Sequence, residues 1–277
     1  MPTHSHDNVG AADTTNRPMT RTLVNALALT TTLAVTALSA VGLAAAGSDD
    51  GGRGREIAEE SDLRDTGWGS QTASVRMVLR NSRGQESTRE MRNKLLVTFD
   101  RPRDVKGSAF LTFTHQQGPD DQWLYLPALK RVKRIASNNK SGPFMGSEFS
   151  YEDLASQEVA KYTHRYLRDD SINGRPAFVV ERIPLDEKSG YTRQIVWFDQ
   201  AEYRPERIEF YDRKDALLKT LTYSGYRQYL DQYWRPDEMS MENHQTGKST
   251  QLLWEGYTFD AELSVRDFDR NSLQRAR

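Results

Sequence analysis

Apolar and polar positions alternate with period two through most of the chain from Ala73 onward, the pattern of half-buried β-strands. Val75, Met77 and Leu79 alternate with Ser74, Arg76 and Val78. Ser82-Arg83-Gly84 is a turn, and 87–99 reads as one long returning strand. Ala109 to His115 and Gln122 to Leu126 flank a turn at 117–121. Ala177 to Ile183 and Tyr191 to Phe198 flank Asp186-Glu187-Lys188-Ser189-Gly190. Arg207 to Tyr211 and Leu217 to Tyr223 form the next pair, and Tyr233 to His244 and Thr250 to Tyr257 the last. These turns are too short for crossover helices, so the sheet is antiparallel. About ten strands would curl or close rather than stay flat. One face is expected to be apolar, with Ile195, Trp197, Ile208, Phe210, Met239 and Met241, and Leu111 and Phe113 further upstream. The other face carries Arg207, Glu209, Glu242 and Glu255.

A sheet that is apolar on one face has to cover that face. Few segments have helical composition. Arg55 to Leu63 is one, after a Gly- and Asp-rich lead-in at 48–54 that reads as flexible. Tyr151 to Ala160 is the other, with Ser150-x-x-Asp153 as a capping signal. A mainly β (α+β) fold follows: one curved antiparallel sheet under a small helical and loop lid. Alternation alone also permits a β-sandwich or a lipocalin-like barrel.

The first 46 residues are expected to lie outside the fold. Arg17 and Arg21 precede an apolar run from Leu23 to Leu43, and Ala44-Ala45-Ala46 ends it with an A-x-A cleavage pattern. Met19 itself begins an ordinary signal peptide. An uncleaved anchor is the alternative, since the run is almost long enough to span a bilayer. Residues 47–277 contain no Pro- or Ser-rich linker and read as a single domain. With 38 Lys+Arg against 39 Asp+Glu, the formal net charge is −1, which argues against a nucleic-acid partner. There are no cysteines, so disulfides, thiol catalysis, Cys-ligated metals and a lipid-modified N-terminal Cys are all excluded.

The stretch Trp123 to Leu154, WLYLPALKRVKRIASNNKSGPFMGSEFSYEDL, brings three physical regimes together. An aromatic strand with Trp123 and Tyr125 ends at Pro127. Lys130, Arg131, Lys133 and Arg134 then put four cations into five positions, on both parities of any extended segment. An apolar but Gly- and Pro-rich loop follows, with Phe144, Met145 and, beyond Gly146, Phe149. With the approach Val105-Lys106-Gly107-Ser108-Ala109-Phe110-Leu111, this stretch resembles the bacterial outer-membrane lipoprotein-sorting (LolA-like) family, and more closely its larger, exporter-associated members. The resemblance runs more loosely from about Glu56 to Leu273. It implies a half-barrel with a lid and a concave cavity for acyl chains, with Leu111, Phe113, Trp123, Tyr125, Ile195, Trp197, Ile208, Phe210, Met239 and Met241 as its lining. Phe144, Met145 and Phe149 would then belong to the lid. The four cations would meet a lipid head group, an anionic membrane or a partner; a solvated strand face is the plain alternative.

No catalytic constellation accompanies these features. His115, His164 and His244 are not spaced with other ligands as a metal site requires, and there is neither a GxSxG elbow nor a phosphate loop. Asp120-Asp121 and Glu152-Asp153 sit where a turn and a helix start favour acids. The expectation is a protein without enzymatic activity or cofactor. The resemblance implies a periplasmic carrier of a lipid or acylated protein, working between an inner-membrane exporter of the RND superfamily and an outer-membrane acceptor. A lipid-sensing regulatory module of the cell envelope is the alternative.

Overall fold

The computed structural model describes residues 49–93, 96–115, 118–261 and 272–274. The predicted leader and its cleavage site lie outside the described residues. Helix α1 (Asp50–Arg64) is followed by β1 (Gln71–Arg80), β2 (Glu86–Asn93), β3 (Leu96–Arg101), β4 (Ala109–Phe113), β5 (Asp121–Leu126) and β6 (Arg131–Arg134). After a long connection come β7 (Tyr162–Ile172), β8 (Arg175–Pro184), β9 (Tyr191–Asp199), β10 (Pro205–Asp212) and β11 (Leu217–Ser224). A small ribbon, β12 (Arg227–Tyr229) and β13 (Tyr233–Arg235), precedes β14 (Glu238–Asn243) and β15 (Lys248–Phe259).

All strands but β12 and β13 form one antiparallel sheet, in the order β6-β5-β4-β3-β2-β1-β15-β14-β11-β10-β9-β8-β7. It is curved and does not close. The predicted half-barrel is therefore present, with thirteen strands in place of about ten. The segment predicted as one strand over 87–99 is two, β2 and β3, which pair with each other. Tyr233 to His244 splits between β13 and β14, and β7, an edge strand with Arg165, Arg168, Asp169 and Asp170, is not among the predicted strands.

The topology dictates where the lid must run. Two meanders meet where β1 pairs with β15, so β6 and β7, consecutive in the chain, sit at opposite edges. Residues 135–161 join those edges and cross the concave face to do so. The predicted helix over Tyr151–Ala160 is not formed. Two short 3-10 turns, Glu152–Leu154 and Val159–Lys161, stand in its place. The capping signal is nonetheless real: Ser150 N–H donates to Asp153 Oδ2 at 2.7 Å, and Asp153 N–H to Ser150 Oγ at 3.3 Å.

Helix α1 starts earlier than predicted, within the supposed flexible lead-in. Asp49 caps it by accepting from Gly52 N–H at 2.9 Å. Gly54 is buried against β7, where an added Cβ would come within 2.5 Å of Tyr166 N. Glycines that weaken an isolated helix here let it press onto the backbone of the edge strand. Ile57 carries α1 into the main core, with Val75, Met77, Val180, Val196, Phe198, Ile208, Phe210, Leu221, Met241 and Leu252.

Candidate functional site

The lid divides the concave face into two unlike parts. Under β1–β4 the loop itself fills the space. Phe144 and Phe149 are each only 1% exposed, and the Phe144 ring lies 5.8 Å from Phe99, 5.1 Å from Phe110 and 5.6 Å from Tyr151. Met145 and Gly146 take left-handed backbone angles to turn the loop. Polar staples hold it down. Asn243 Nδ2 donates to Glu148 Oε2 at 2.7 Å and Gln122 Nε2 to Tyr151 O at 2.8 Å, while Arg89 donates to Met145 O. Lys219 Nζ, almost completely buried, reaches Asp153 Oδ2 at 2.6 Å and Glu148 O at 2.9 Å. Tyr191 OH donates to Asp153 Oδ1 at 2.7 Å, and burial beside two carboxylates pushes its phenol well above the ordinary range. Glu152 accepts from Ser189 Oγ and Gly190 N–H; burial pushes its carboxyl up while these donors oppose the rise.

Under α1 the face is left open. A cavity of about 460 Å³ lies between the helix residues Ala58, Ser61 and Asp62 and an apolar floor of Val180, Val196, Phe198, Ile208, Met239 and Trp254. A second cavity of about 520 Å³, more polar, lies beyond the lid segment Ser156-Gln157, which lines both. Gln157 is braced as a partition: its amide donates to Glu152 O at 3.2 Å and Ala155 O at 3.0 Å, and Tyr162 OH donates to its Oε1 at 2.6 Å.

The charged groups around the first cavity are mostly paired. Arg204 meets Asp199 at 2.7 Å, and Arg235 meets Asp65. Burial raises the Asp65 carboxyl, and Arg235 opposes the rise. Trp234 and Trp254 also line the cavity, and their indole N–H groups are buried without a partner among the described residues. His164, on β7, is brought down to about 4, first by burial and then by Arg182 and Arg55, so the ring is neutral at pH 7. Among the described residues no group of three or more His, Asp or Glu could hold a metal ion.

This geometry matches known structures. The chain aligns with an outer membrane lipoprotein-sorting protein domain from Vibrio parahaemolyticus at 55% identity and a TM-score of 0.79, covering 81% of this chain and all of that one. A DUF1329 family protein from Desulfovibrio piger aligns at 28% identity and a TM-score of 0.76, over 82% of this chain and all of the other. A LolA superfamily protein from Nitrosomonas europaea shares the fold at 21% identity and a TM-score of 0.65, over 79% and 98%. Residues 91–275 match the model of a family described as an uncharacterized protein. No curated protein matches. The chain belongs to the LolA-like lipoprotein-sorting family.

Within that LolA-like frame the predicted lining residues separate. Ile208 and Met239 line the open cavity. Phe210 and Met241 belong with Ile208 to the main core on the concave face but do not line the cavity. The remaining six lie on the outer face. Ile195 stands opposite Glu209 and Trp197 opposite Arg207, whereas Val196 stands opposite Ile208. Ile195 and Trp197 pack with Ala177 and Val179 in a separate cluster, with the Arg207 guanidinium 4.8 Å from the Trp197 ring. Leu111, Trp123 and Tyr125 are likewise outside, against Leu273 of the short C-terminal turn at Ser272–Gln274. Phe113 meets Trp123 edge-on at 5.6 Å and is largely exposed. The physical reason is that β4, β5 and β9 are apolar on both faces, so alternation does not say which parity is concave. Val196 and Phe198, which line the open cavity, are adjacent in parity to Ile195 and Trp197. Lys130, Arg131, Lys133 and Arg134 are all exposed, Lys130 in the turn before the edge strand β6 and the other three on it. Arg131 and Lys133 stand opposite Leu126 and Leu124 on the concave parity, and Arg134 pairs with Asp121 on the outer one. The sequence reading weighs His164 only as a metal ligand and does not single out Arg182 or the Lys219–Asp153 pair; a Lys within the apolar β11 is the signal for the last.

Proposed function

We propose that this protein is a periplasmic carrier whose cavity under α1 shields the acyl chains of a lipid or lipoprotein. It receives the cargo from an inner-membrane exporter of the RND type and releases it to an outer-membrane acceptor. The observation that carries this reading is the space of about 460 Å³ with an apolar floor left between α1 and the sheet, while the lid fills the concave face under β1–β4. That size is in the ordinary range for small-molecule sites. Each methylene moved out of water contributes about 0.8 kcal/mol, so a chain of about 14 offers on the order of 11 kcal/mol before ordering costs. The outer-membrane lipoprotein-sorting domain and the LolA superfamily protein it resembles support the same direction. A leader at 1–46, cleaved near Ala46, would deliver the chain to the periplasm. The exposed cations of β6 suit contact with an anionic membrane or the exporter.

The test is native mass spectrometry of the protein expressed with its own leader and recovered by osmotic shock, followed by extraction of bound lipid. An excess mass that disappears on extraction, and is absent from a Met239→Trp variant, is the expected result. Recovery without lipid, together with failure of the extracted protein to bind a fluorescent acyl probe, would overturn the reading.

A further inference from the structure

One arginine in this cavity lacks the partner that burial demands. Arg182, on β8, is 8% exposed and lines the space under α1. Its Nε donates to Gln194 Oε1 at 2.5 Å, and its guanidinium lies 5.0 Å from the Tyr162 ring. Among the described residues no carboxylate lies within ion-pair distance of it. Asp62, on the α1 side of the same cavity, makes no ion pair with it, and two acids of the lid are committed elsewhere, Glu152 to Ser189 and Gly190, and Asp153 to Lys219 and Tyr191. Buried charges in proteins are normally paired, because an unpaired one forfeits solvation without recompense. The strand neighbour of Arg182 brings no counter-charge: His164 faces it across β7–β8 and is neutral at pH 7, and among the described residues the Tyr223 hydroxyl, also on the cavity, makes no hydrogen bond. Three donors thus face one corner beside the Gln157 partition: the free Nη groups of Arg182, the Tyr223 hydroxyl and a ring nitrogen of His164.

We propose that Arg182 anchors an anionic head group, a carboxylate or a phosphate monoester, so that the cargo is an anionic acyl lipid held with its head inside the cavity. A planar guanidinium offers two parallel N–H groups to such an oxyanion. The acyl chain then lies along Val196, Ile208 and Met239. This rests on the carrier reading above and adds the chemistry of the ligand's head, placing it at Arg182 instead of the exposed cations of β6.

The experiment compares laurate, methyl laurate and dodecyl phosphate, one chain length with three heads, on lipid-stripped protein. Wild type is expected to bind laurate or dodecyl phosphate at least about tenfold more tightly than methyl laurate, a difference of about 1.4 kcal/mol. Arg182→Gln should erase that preference and leave methyl laurate within about twofold. The anion that loses more identifies carboxylate or phosphate as the natural head. Tyr223→Phe, a smaller change, should reduce the preference in part and guards against an Arg182→Gln protein that does not fold. By NMR the His164 ring should titrate at higher pH with the preferred anion bound and stay put with methyl laurate. The groups that set its position are Arg182, Arg55 and Glu59. Equal binding of all three heads by wild type, or an equal loss of all three in Arg182→Gln, would overturn the proposal and leave the carrier reading intact. Failure of wild type to bind any of the three sinks both.

Discussion

The two halves of the concave face are built from the same residue types and put them to different uses. Under β1–β4, Phe99, Phe110, Phe144, Phe149 and Tyr151 interlock, and the loop is held by buried polar bonds. Under α1, the equally apolar Val196, Phe198 and Ile208, core residues themselves, and Met239 form the floor of a cavity. A curved sheet this wide offers more apolar surface than one helix can cover. The chain covers part with its own lid and leaves part open under α1. Stability should therefore live mainly in the first half, and binding in the second.

The sharpest way to break that division is through the lid. Lys219→Ala leaves Asp153 buried without its cation, and breaking such a pair costs about 3–5 kcal/mol, readable in urea unfolding. Replacing both partners, Lys219→Met with Asp153→Leu, should recover most of that loss, since an apolar pair avoids desolvation. Phe144→Ala empties the plug and should cost about 3–5 kcal/mol as well. Affinity for a neutral acyl probe should change less than about threefold in folded Phe144→Ala protein, on the scale where a factor of ten is 1.4 kcal/mol. A loss of binding as large as the loss of stability would show that the halves are one unit.

The converse variant fills the open half. Met239→Trp places an indole ring into existing space, so its cost in stability should not exceed about 1–3 kcal/mol, that of added bulk, while probe binding falls at least about tenfold, or 1.4 kcal/mol. Unfolding of this variant would mean that the space is less available than the geometry indicates.

How much of this was legible follows the same division. The curved antiparallel sheet was readable because period-two patterning and tight turns are local signals. The lid's position was readable only through the family resemblance; the loop's own composition says that it is irregular, not that it spans both sheet edges. Leu111, Phe113, Trp123, Tyr125, Ile195 and Trp197 fall on the outer face instead of the concave one, because strands apolar on both faces carry no local mark of which way the sheet curves. Leu273 covering the outside of β4 and β5 is a contact between distant segments that no pattern announces. Arg182 hid for the opposite reason. A lone arginine in a strand reads as outward-facing, and only the register of β8 against β9, with Arg182 opposite Gln194, turns it inward.

A smaller effect distinguishes the halves by pH. His164 takes up a proton at about 4 in the folded protein and near 6.5 when unfolded. Between those values the unfolded chain binds the proton and the folded one does not, so stability falls as pH drops from about 6.5 to 4 and levels off below. With allowance for the ring's partial access to solvent, the change is about 1–2 kcal/mol. His164→Gln should lack it, and unfolding curves at pH 7 and 4.5 for the two proteins measure the difference.

The smallest expected effect on folding lies at the edge of the sheet. Arg131 and Arg134 are exposed on β6, and replacing both with Gln should change stability by less than about 0.5 kcal/mol each. Arg134 already pairs with Asp121, so Arg131 is the freer of the two to meet a membrane. Each cation near an anionic bilayer contributes up to about 1 kcal/mol, so the double variant should bind anionic vesicles roughly tenfold more weakly, since tenfold is 1.4 kcal/mol. Wild-type binding should itself weaken as salt shortens the Debye length below about 10 Å. Neither change should touch the laurate preference set at Arg182, because that site lies inside the cavity. Vesicle binding equal to wild type at low salt would make β6 a plainly solvated edge, whose charges serve to keep a free strand from pairing with another chain. A loss of laurate preference in the same variant would instead put the head group at the rim, and the two readings of where this protein meets its anion would be decided against Arg182.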